Sequence, residues 1–350
     1  MYRAILLSTL SFLTIAACTT APRWSAGEPP VLVKASVETV VTTDAAVDAD
    51  DPAFWADAAD PKRALMFGTD KTDGLYAHNM DGSVRQFLPS GALNNVDLRT
   101  GFKVDGRDMV LVGASADEKM GLFVYLLDPA TLETKEWGFI PTGDWEPYGF
   151  CMAKRDGAFY LVADSKTGSI RVWTIAAGAT GPAANLVREM SVGSQPEGCV
   201  VDDVAGNLYV GEEDVGVWKF GFGAGASDTP VSIAKVDKRR LTDDVEGMTI
   251  MRDSGKSYLI VSSQGDDTYN VFRIEGEAHT YVGRFAIVDG DRIDAVTVTD
   301  GLDAWSGPIG QFPEGVIGFH DDKDAPNPGQ QNFKMVDWRD IRAALGLPNT

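Results

Sequence analysis

The chain has 350 residues, 44% hydrophobic and 23% charged, which is ordinary for a globular protein able to bury a full core. Fifty-one Asp and Glu against 31 Lys and Arg give a formal net charge of −20, which argues against nucleic-acid partners and against attraction to anionic lipid surfaces. Because only three His and three Cys are present, His-rich and Cys-rich metal sites are nearly excluded, and any metal must be bound mainly by oxygen.

The N-terminus has the pattern of an export signal. A positive start at Arg3 precedes an apolar run that is too short to span a bilayer as a helix. The run ends in Ile-Ala-Ala-Cys, which resembles a bacterial lipoprotein processing box. We therefore predict a signal peptide over residues 1–17 and a lipid anchor on Cys18, with an ordinary secretory signal as the alternative. Residues 18–30 are then a flexible tether, and residues 31–350 form a single domain.

Export permits a disulfide, and Cys151 and Cys199 are the two cysteines left to form one. Both lie in short apolar, strand-like runs. A small buried thiol is the default expectation in such runs, and a disulfide between the two is the alternative.

A strand-and-turn pattern repeats along the chain. Tyr148-Gly149, Glu197-Gly198 and Glu246-Gly247 follow one another at intervals of 49 positions, and each precedes two short runs rich in Val, Tyr, Phe and Trp. Weaker copies begin near Asp50 and Asn94, and a less regular sixth unit runs from about Asp294 to Trp338. Six units of about four strands predict an all-β, six-bladed β-propeller with four-stranded antiparallel blades. Two separate β-sandwiches are the alternative, which explains the spacing poorly.

The two ends of the domain have their own patterns. The segment from Val31 to Thr43 alternates like a strand but precedes the first unit, so we expect it to complete the C-terminal blade and close the ring. The tail from Trp338 to Leu347 is predicted to be a short surface helix.

Each unit carries acid at the start of its first strand, and equivalent positions of successive blades lie on a ring around the axis. Six such positions are expected to converge near one mouth of the channel, where crowded carboxylates raise one another's pKa. Calcium resolves this conflict because it accepts six to eight oxygen ligands in loose geometry, so several calcium ions are expected. The acids are Asp50, Asp51, Asp97, Glu146, Glu197, Asp244, Glu246 and the sixth-unit Asp294, with Glu213 added from the second strand of the fourth unit.

A few cations interrupt this acidic setting. Lys71 and Lys166 occupy the same loop in two units, and Arg99 follows the acid of the second unit. Such groups bind anionic oxygens. Calcium together with lysines at one mouth predicts a site for a polyanion, most simply a phosphate ester.

These residues resemble a known family, the β-propeller phytases, which are calcium-dependent alkaline phytases of bacteria. Asp48–Trp55 is similar to its signature Asp-Asp-Pro-Ala-hydrophobic-Trp, and Asn94–Arg99 to its second signature. The likeness extends over nearly the whole chain from Val37 to Leu347. Further matching stretches are Ser194–Gly198, Gly211–Asp214, Val217–Phe220, Leu241–Gly247, Ser262–Gly265 and Gln331–Val336.

The resemblance implies a calcium-dependent 3-phytase that hydrolyses phytate, or its calcium complex, to lower inositol phosphates and phosphate. A monomer is expected, with no nucleic-acid partner and membrane contact only through the lipid anchor. Lys71, Tyr148 and Lys166 match residues of the family that contact substrate phosphates. The implied calcium ligands are Glu38, Asp50, Asp51, Glu197, Glu213, Asp244, Glu246 and Asp294.

One departure from the family concerns the second unit. Family members carry an Arg in a loop where this chain has Asp117-Glu118-Lys119. Lys119 is expected to substitute as a point charge, without the bidentate geometry of Arg.

The expected chemistry is metal-assisted hydrolysis, in which the calcium ions held by Asp50, Asp51, Glu197 and Glu246 bind the scissile phosphate and lower the pKa of a bridging water. Two alternatives are a non-enzymatic calcium-binding propeller module at the cell surface and a calcium-dependent lactonase, because fold alone does not decide function.

Overall fold

The computed structural model describes residues 21–40, 49–325 and 329–348, and in them short apolar runs separated by Gly- and Asp-containing turns form 25 strands. The predicted signal peptide and Cys18 lie outside these residues. Asp156 and Gly157 show how the local sequence sets a turn: both have positive φ, of 51° and 79°, and they form the two-residue loop of one hairpin. Among the described residues no helix is long and apolar enough to cross a membrane.

The strands form six sheets arranged as propeller blades, which confirms the predicted fold. In the first three blades the strands follow chain order from the axis outward. Two short strands, β1 and β2, precede them in the chain. The ranges are β1 Val31–Val33, β2 Val37–Glu38; blade one, β3 Ala49–Ala56, β4 Ala64–Asp70, β5 Gly74–His78, β6 Val84–Leu88; blade two, β7 Val96–Val104, β8 Arg107–Ala116, β9 Gly121–Asp128, β10 Glu133–Pro141; blade three, β11 Phe150–Arg155, β12 Ala158–Asp164, β13 Ser169–Ala177, β14 Pro182–Ser191.

Blade four repeats this order, and blades five and six each gain a strand from the N-terminus. Blade four consists of β15 Pro196–Asp202, β16 Asn207–Glu212, β17 Gly216–Gly221 and β18 Val231–Lys235. The strands of blade five are β19 Met248–Asp253, β20 Lys256–Ser263, β21 Thr268–Glu275 and β22 Ala278–Ile287. Those of blade six are β23 Leu302–Ser306, β24 Gly315–Asp321 and β25 Asn332–Asp337.

The N-terminal segment closes the ring in two pieces. Strand β2 pairs antiparallel with β25, with Glu38 opposite Lys334, and so completes blade six as predicted. The single strand expected over Val31–Thr43 is wrong in detail, because β1 instead pairs parallel with β22 of blade five. Residues 41–43 of that segment lie outside the described residues.

The flexible tether predicted for residues 18–30 is also wrong where the structure describes it. Residues Arg23–Ala26 form a 3₁₀ turn that packs against blade five. The buried Arg284 donates to the carbonyl oxygen of Glu28 at 2.5 Å, and the Glu28 carboxylate pairs with Arg240 at 3.0 Å. These polar anchors are not visible in the Pro-, Ala- and Gly-rich composition of the segment.

The core lies between neighbouring blades. Each of six hydrophobic clusters joins the facing sides of two adjacent sheets. The first strands of the blades, β3, β7, β11, β15, β19 and β23, pack side by side around the axis. The C-terminal helix, α1 Trp338–Ala344, closes blade six, but Trp338 and Ile341 are fully buried, so it is only partly the surface helix expected.

Cys151 and Cys199 form a disulfide, with Cα atoms 5.7 Å apart, so the default expectation of buried thiols is wrong. The pair joins β11 to β15, the first strands of blades three and four. Their near-equivalent places in consecutive repeats bring them together, because equivalent residues of adjacent blades are neighbours at the axis.

Candidate active site

Residues at the beginning of the first strands of blades four and one, and just before the first strands of blades five and six, meet at one mouth of the propeller. The N–H of Gly301 donates to the carbonyl of Asp50 at 3.0 Å, and the N–H of Gly247 donates to that of Asp300 at 2.8 Å. A Cβ on Gly198 would lie 2.1 Å from the carbonyl oxygen of Glu246, so only glycine permits this approach. The Glu-Gly repeat of the sequence therefore stacks acid beside acid around the axis.

Three of the predicted metal ligands form one cluster. Carboxylate oxygens of Glu197, Glu213 and Glu246 lie within 4.8 Å of one another. Burial and, to a smaller extent, the charge of Glu197 raise the pKa of Glu246 well above its usual value. Burial also raises the pKa of Glu213 to about 7. Glu246 Oε2 is buried without a hydrogen-bond partner in the described part of the chain. Such a group is costly unless a cation compensates it, and an all-carboxylate oxygen set suits calcium.

Asp50 and Asp300 form a second pair of acids, and the ammonium group of Lys71 contacts both of them. Lys71 Nζ is 2.7 Å from Asp50 Oδ1 and 3.3 Å from Asp300 Oδ2. Burial raises the pKa of the Asp50 carboxyl to about 6 even though Lys71 lowers it. Burial alone lowers the pKa of Lys71, but the charges of Asp50, Asp300 and Glu197 raise it above its ordinary value, which keeps it cationic.

Asp300 is the site residue that sequence reasoning missed. The sequence predicts Asp294 as the acid of the sixth unit, but the backbone contacts of Asp300-Gly301 make this pair the counterpart of Glu246-Gly247. The signal was present in the sequence as an acid-Gly pair. It was overlooked because the interval lengthens from 49 to 54 positions.

A cavity of about 300 Å³ adjoins the acids. Tyr148 connects this cavity to the acid cluster. Its hydroxyl group donates a hydrogen bond to Glu197, and its ring lies 4.4 Å from the ammonium group of Lys166. Burial, together with the charges of Glu197 and Glu246, raises the Tyr148 pKa, so the phenol stays a neutral donor. The cavity is lined by Lys71, Ala92, Leu93, Asn94, Asp117, Glu118, Tyr148 and Lys166.

The chain resembles known phytases over nearly its whole length. A family model described as Phytase matches residues 3–349. The chain is 34% identical to a 3-phytase of Bacillus subtilis (strain 168), over 98% of this chain and 94% of that protein. The chain belongs to the phytase family.

Two solved structures resemble this phytase only distantly. BBS1N in complex with ARL6DN is 15% identical with a TM-score of 0.45, covering 84% of this chain and 79% of that one. The β-propeller domain of Myceliophteria thermophila Cps50 (Swd1) is 9% identical with a TM-score of 0.46, covering 83% of each chain.

Two predicted metal ligands of the phytase lie in a separate cluster at the rim. Carboxylate oxygens of Glu38, Asp294 and Asp324 lie within 4.8 Å of one another. Lys334 Nζ is 2.5 Å from Asp294 Oδ1 and also contacts Asp321. Asp294 therefore does not join the mouth, contrary to the ring predicted from the repeats.

Asp51, Asp97 and Arg99 line a different space, a cavity of about 350 Å³ on the axis bounded by first strands of all six blades. Asp51 accepts from the N–H of Val96 at 3.0 Å. The Arg99 guanidinium is 2.8 Å from both Asp97 and Asp203. Arg99 does not line the lysine-containing cavity, so its expected role in phosphate binding is not supported.

The remaining predicted residues lie near the mouth or turn away from it. Asp244 is close enough to Glu213 to raise that residue's pKa. Glu146 lies 3.1 Å from Lys166. Lys119 was expected to replace the missing Arg, but its ammonium donates to the carbonyl of Ser90, lies over the Phe123 ring and does not line the cavity.

Proposed function

We propose that this phytase hydrolyses phytate with calcium ions held at the mouth by Asp50, Glu197, Glu213, Glu246 and Asp300. The observation that carries the proposal is the cluster of mutually repelling Glu197, Glu213 and Glu246 beside a lysine-lined cavity. Bound calcium would supply charge neutralisation at the scissile phosphate and a lowered pKa for attacking water. A chain of charge −20 would otherwise repel a polyanionic substrate.

The protein's own groups contribute orientation. Lys71 lies between the acids and the cavity, so its ammonium can bind a phosphate oxygen while Asp50 and Asp300 fix its position. Lys166, whose ammonium lies over the Tyr148 ring, offers a cation to a second phosphate of the same molecule. Two phosphates held at once fix the inositol ring relative to the scissile ester, which reduces the entropic part of the barrier.

The rim cluster of Glu38, Asp294 and Asp324 supports a second proposal, a structural cation. Glu38 belongs to β2 and the other two to blade six and its loops, so a bound cation would fasten the strand that closes the ring. We expect calcium to raise the melting temperature of Glu197→Gln, which keeps the rim cluster, more than that of Asp294→Asn.

Phosphate release from phytate with and without EGTA tests the proposed mechanism. EGTA should abolish turnover, and added calcium should restore it in full while added magnesium should restore little, because magnesium demands tighter octahedral geometry. Undiminished turnover in EGTA would show that calcium has no catalytic role. A monoester such as p-nitrophenyl phosphate serves as the matched substrate that lacks a second phosphate.

We also propose that the protein is exported, with a lipid anchor on Cys18. The Cys151–Cys199 disulfide supports this, because structural disulfides form in oxidising compartments. Metabolic labelling with a radioactive fatty acid should mark the native chain and leave Cys18→Ser unlabelled. Labelling of both would place the lipid elsewhere, and labelling of neither would indicate an ordinary secreted protein.

A further inference from the structure

The loop after β8 brings carboxylates to the lysine-lined cavity. Asp117 and Glu118 line it together with Lys71 and Lys166, so its lining carries two positive and two negative formal charges. This balance is unexpected for a space whose cations are offered to phosphate.

Asp117 is aimed at one of those cations. Its Oδ1 accepts from the N–H of Glu118 at 2.8 Å, which fixes the turn, and its Oδ2 lies 3.7 Å from Lys166 Nζ. Glu146 Oε1 lies 3.1 Å from the same ammonium on another side. The Tyr148 ring then holds Lys166 in place, at 4.4 Å.

A phosphate entering this cavity must share Lys166 with these carboxylates. Asp117 has the stronger effect on a bound phosphate because it lines the cavity, whereas Glu146 does not. Its side chain is 25% exposed and Lys166 is 42% exposed, so the ion pair itself is weak and can be displaced. Because Lys166 is the cation that holds a phosphate beside Asp117, the repulsion between this carboxylate and the phosphate acts on a ligand bound at Lys166, and it grows with the charge of the ligand.

We propose that Asp117 is a specificity-determining residue that competes with the substrate for Lys166 and so penalises ligands in proportion to the phosphates they place in this cavity. The inference rests on the proposed function and deepens it. This phytase then discriminates less strongly in favour of fully phosphorylated inositol than its two lysines alone would allow.

Binding of myo-inositol hexasulfate, a polyanion that this chemistry does not turn over as a phosphate ester, tests the inference by calorimetry on the calcium-loaded protein. Asp117→Asn keeps the Oδ1 acceptor of the turn and removes the charge, so binding should tighten by about five- to tenfold at low salt. Glu118→Gln, the matched control, removes the same charge from a neighbour that also lines the cavity but is exposed to solvent and has no ion pair with Lys166, so screening should keep its effect on affinity below twofold. In a Lys166→Met background the Asp117→Asn effect should fall to that of the control.

Kinetics give a readout that a merely structural role would not move. Asp117→Asn should lower KM for phytate with little change in kcat, and leave kcat/KM for p-nitrophenyl phosphate within about twofold, because a monoester needs no second phosphate position. Equal effects of Asp117→Asn and Glu118→Gln, or a full Asp117 effect in the Lys166→Met background, would overturn the inference. Tighter hexasulfate binding without hydrolysis of phytate by the native chain would contradict the proposed function and leave the inference standing.

Discussion

The mouth and the axial cavity are built from the same strands, yet the acids in the two regions differ in their hydrogen-bond partners. In the axial cavity, Asp97 accepts from the N–H of Met152 at 2.8 Å and pairs with Arg99, and Asp303 accepts from the N–H of Phe54 at 2.9 Å. At the mouth, Glu246 Oε2 and Asp50 Oδ2 are buried with no hydrogen-bond partner among the described residues. Acids a few positions apart along a strand are therefore bound by protein groups in the axial cavity, whereas at the mouth they have buried oxygens that a cation can bind.

Glu246→Gln gives the largest expected effect. Loss of one carboxylate from the mouth should lower kcat for phytate on the order of a hundredfold or more, because several kcal/mol of transition-state stabilisation depend on the metal site. The calcium-free variant should unfold at a higher temperature than the native chain, since the repulsion between the buried Glu246 and Glu197 carboxyl groups has been removed.

Asp303→Asn is the matched change in the axial cavity. It removes a carboxylate whose bonds are to the protein itself, so we expect kcat within about threefold of native. Comparable activity losses in the two variants, measured in saturating calcium, would remove the functional distinction between the two regions.

Arg99→Met should act on stability instead of chemistry. It leaves Asp97 and Asp203 without their shared guanidinium, and breaking such a pair costs about 3–5 kcal/mol when it is buried. Because both acids are partly exposed to the cavity, we expect about 2 kcal/mol in urea unfolding. Retained stability with a raised KM for phytate would instead assign Arg99 to substrate binding.

Lys71→Ala should raise KM for phytate by about tenfold, because one charge-assisted contact to phosphate is lost. Folding in calcium should change little, since calcium can compensate the freed Asp50 and Asp300. Unchanged kinetics would favour the alternatives of a binding module or a lactonase, neither of which needs this ammonium.

The pH dependence of calcium-free stability separates the two regions without any substitution. Burial raises the pKa of Asp50 to about 6 and that of Glu213 to about 7, above their unfolded values near 4. The folded state therefore holds more protons between these values, and stability falls as pH rises from about 4.5 to 7. Melting temperatures should show this decline without calcium and a much flatter profile with it.

Asp303 titrates in the same pH range, because burial raises its pKa to about 7. The melting temperatures must therefore also be measured for Asp303→Asn. A decline that disappears in this variant, or that calcium leaves unchanged, would assign the titration to the axial cavity and not to the mouth.

The repeat determined much from sequence alone. The Tyr-Gly and Glu-Gly pairs at constant spacing, together with the weaker upstream copies and the less regular sixth unit, predicted six blades, because turns and strand alternation are local properties of the chain. The same register placed Glu197 and Glu246 together, since equivalent positions of a propeller are neighbours by construction. Lys71 and Lys166 were found for the same reason, from their equivalent loops.

Only the tertiary structure decided the rest, because it depends on contacts between residues distant in the chain. The longer sixth interval hid Asp300, and a strand extending inward carried Asp97 and Arg99 away from the mouth. Pairing partners such as Ser90 for Lys119, or Cys199 for Cys151, follow from how blades pack side by side. Periodicity fixes which blade carries a residue, whereas the depth at which its side chain meets its neighbours is set by packing around the axis.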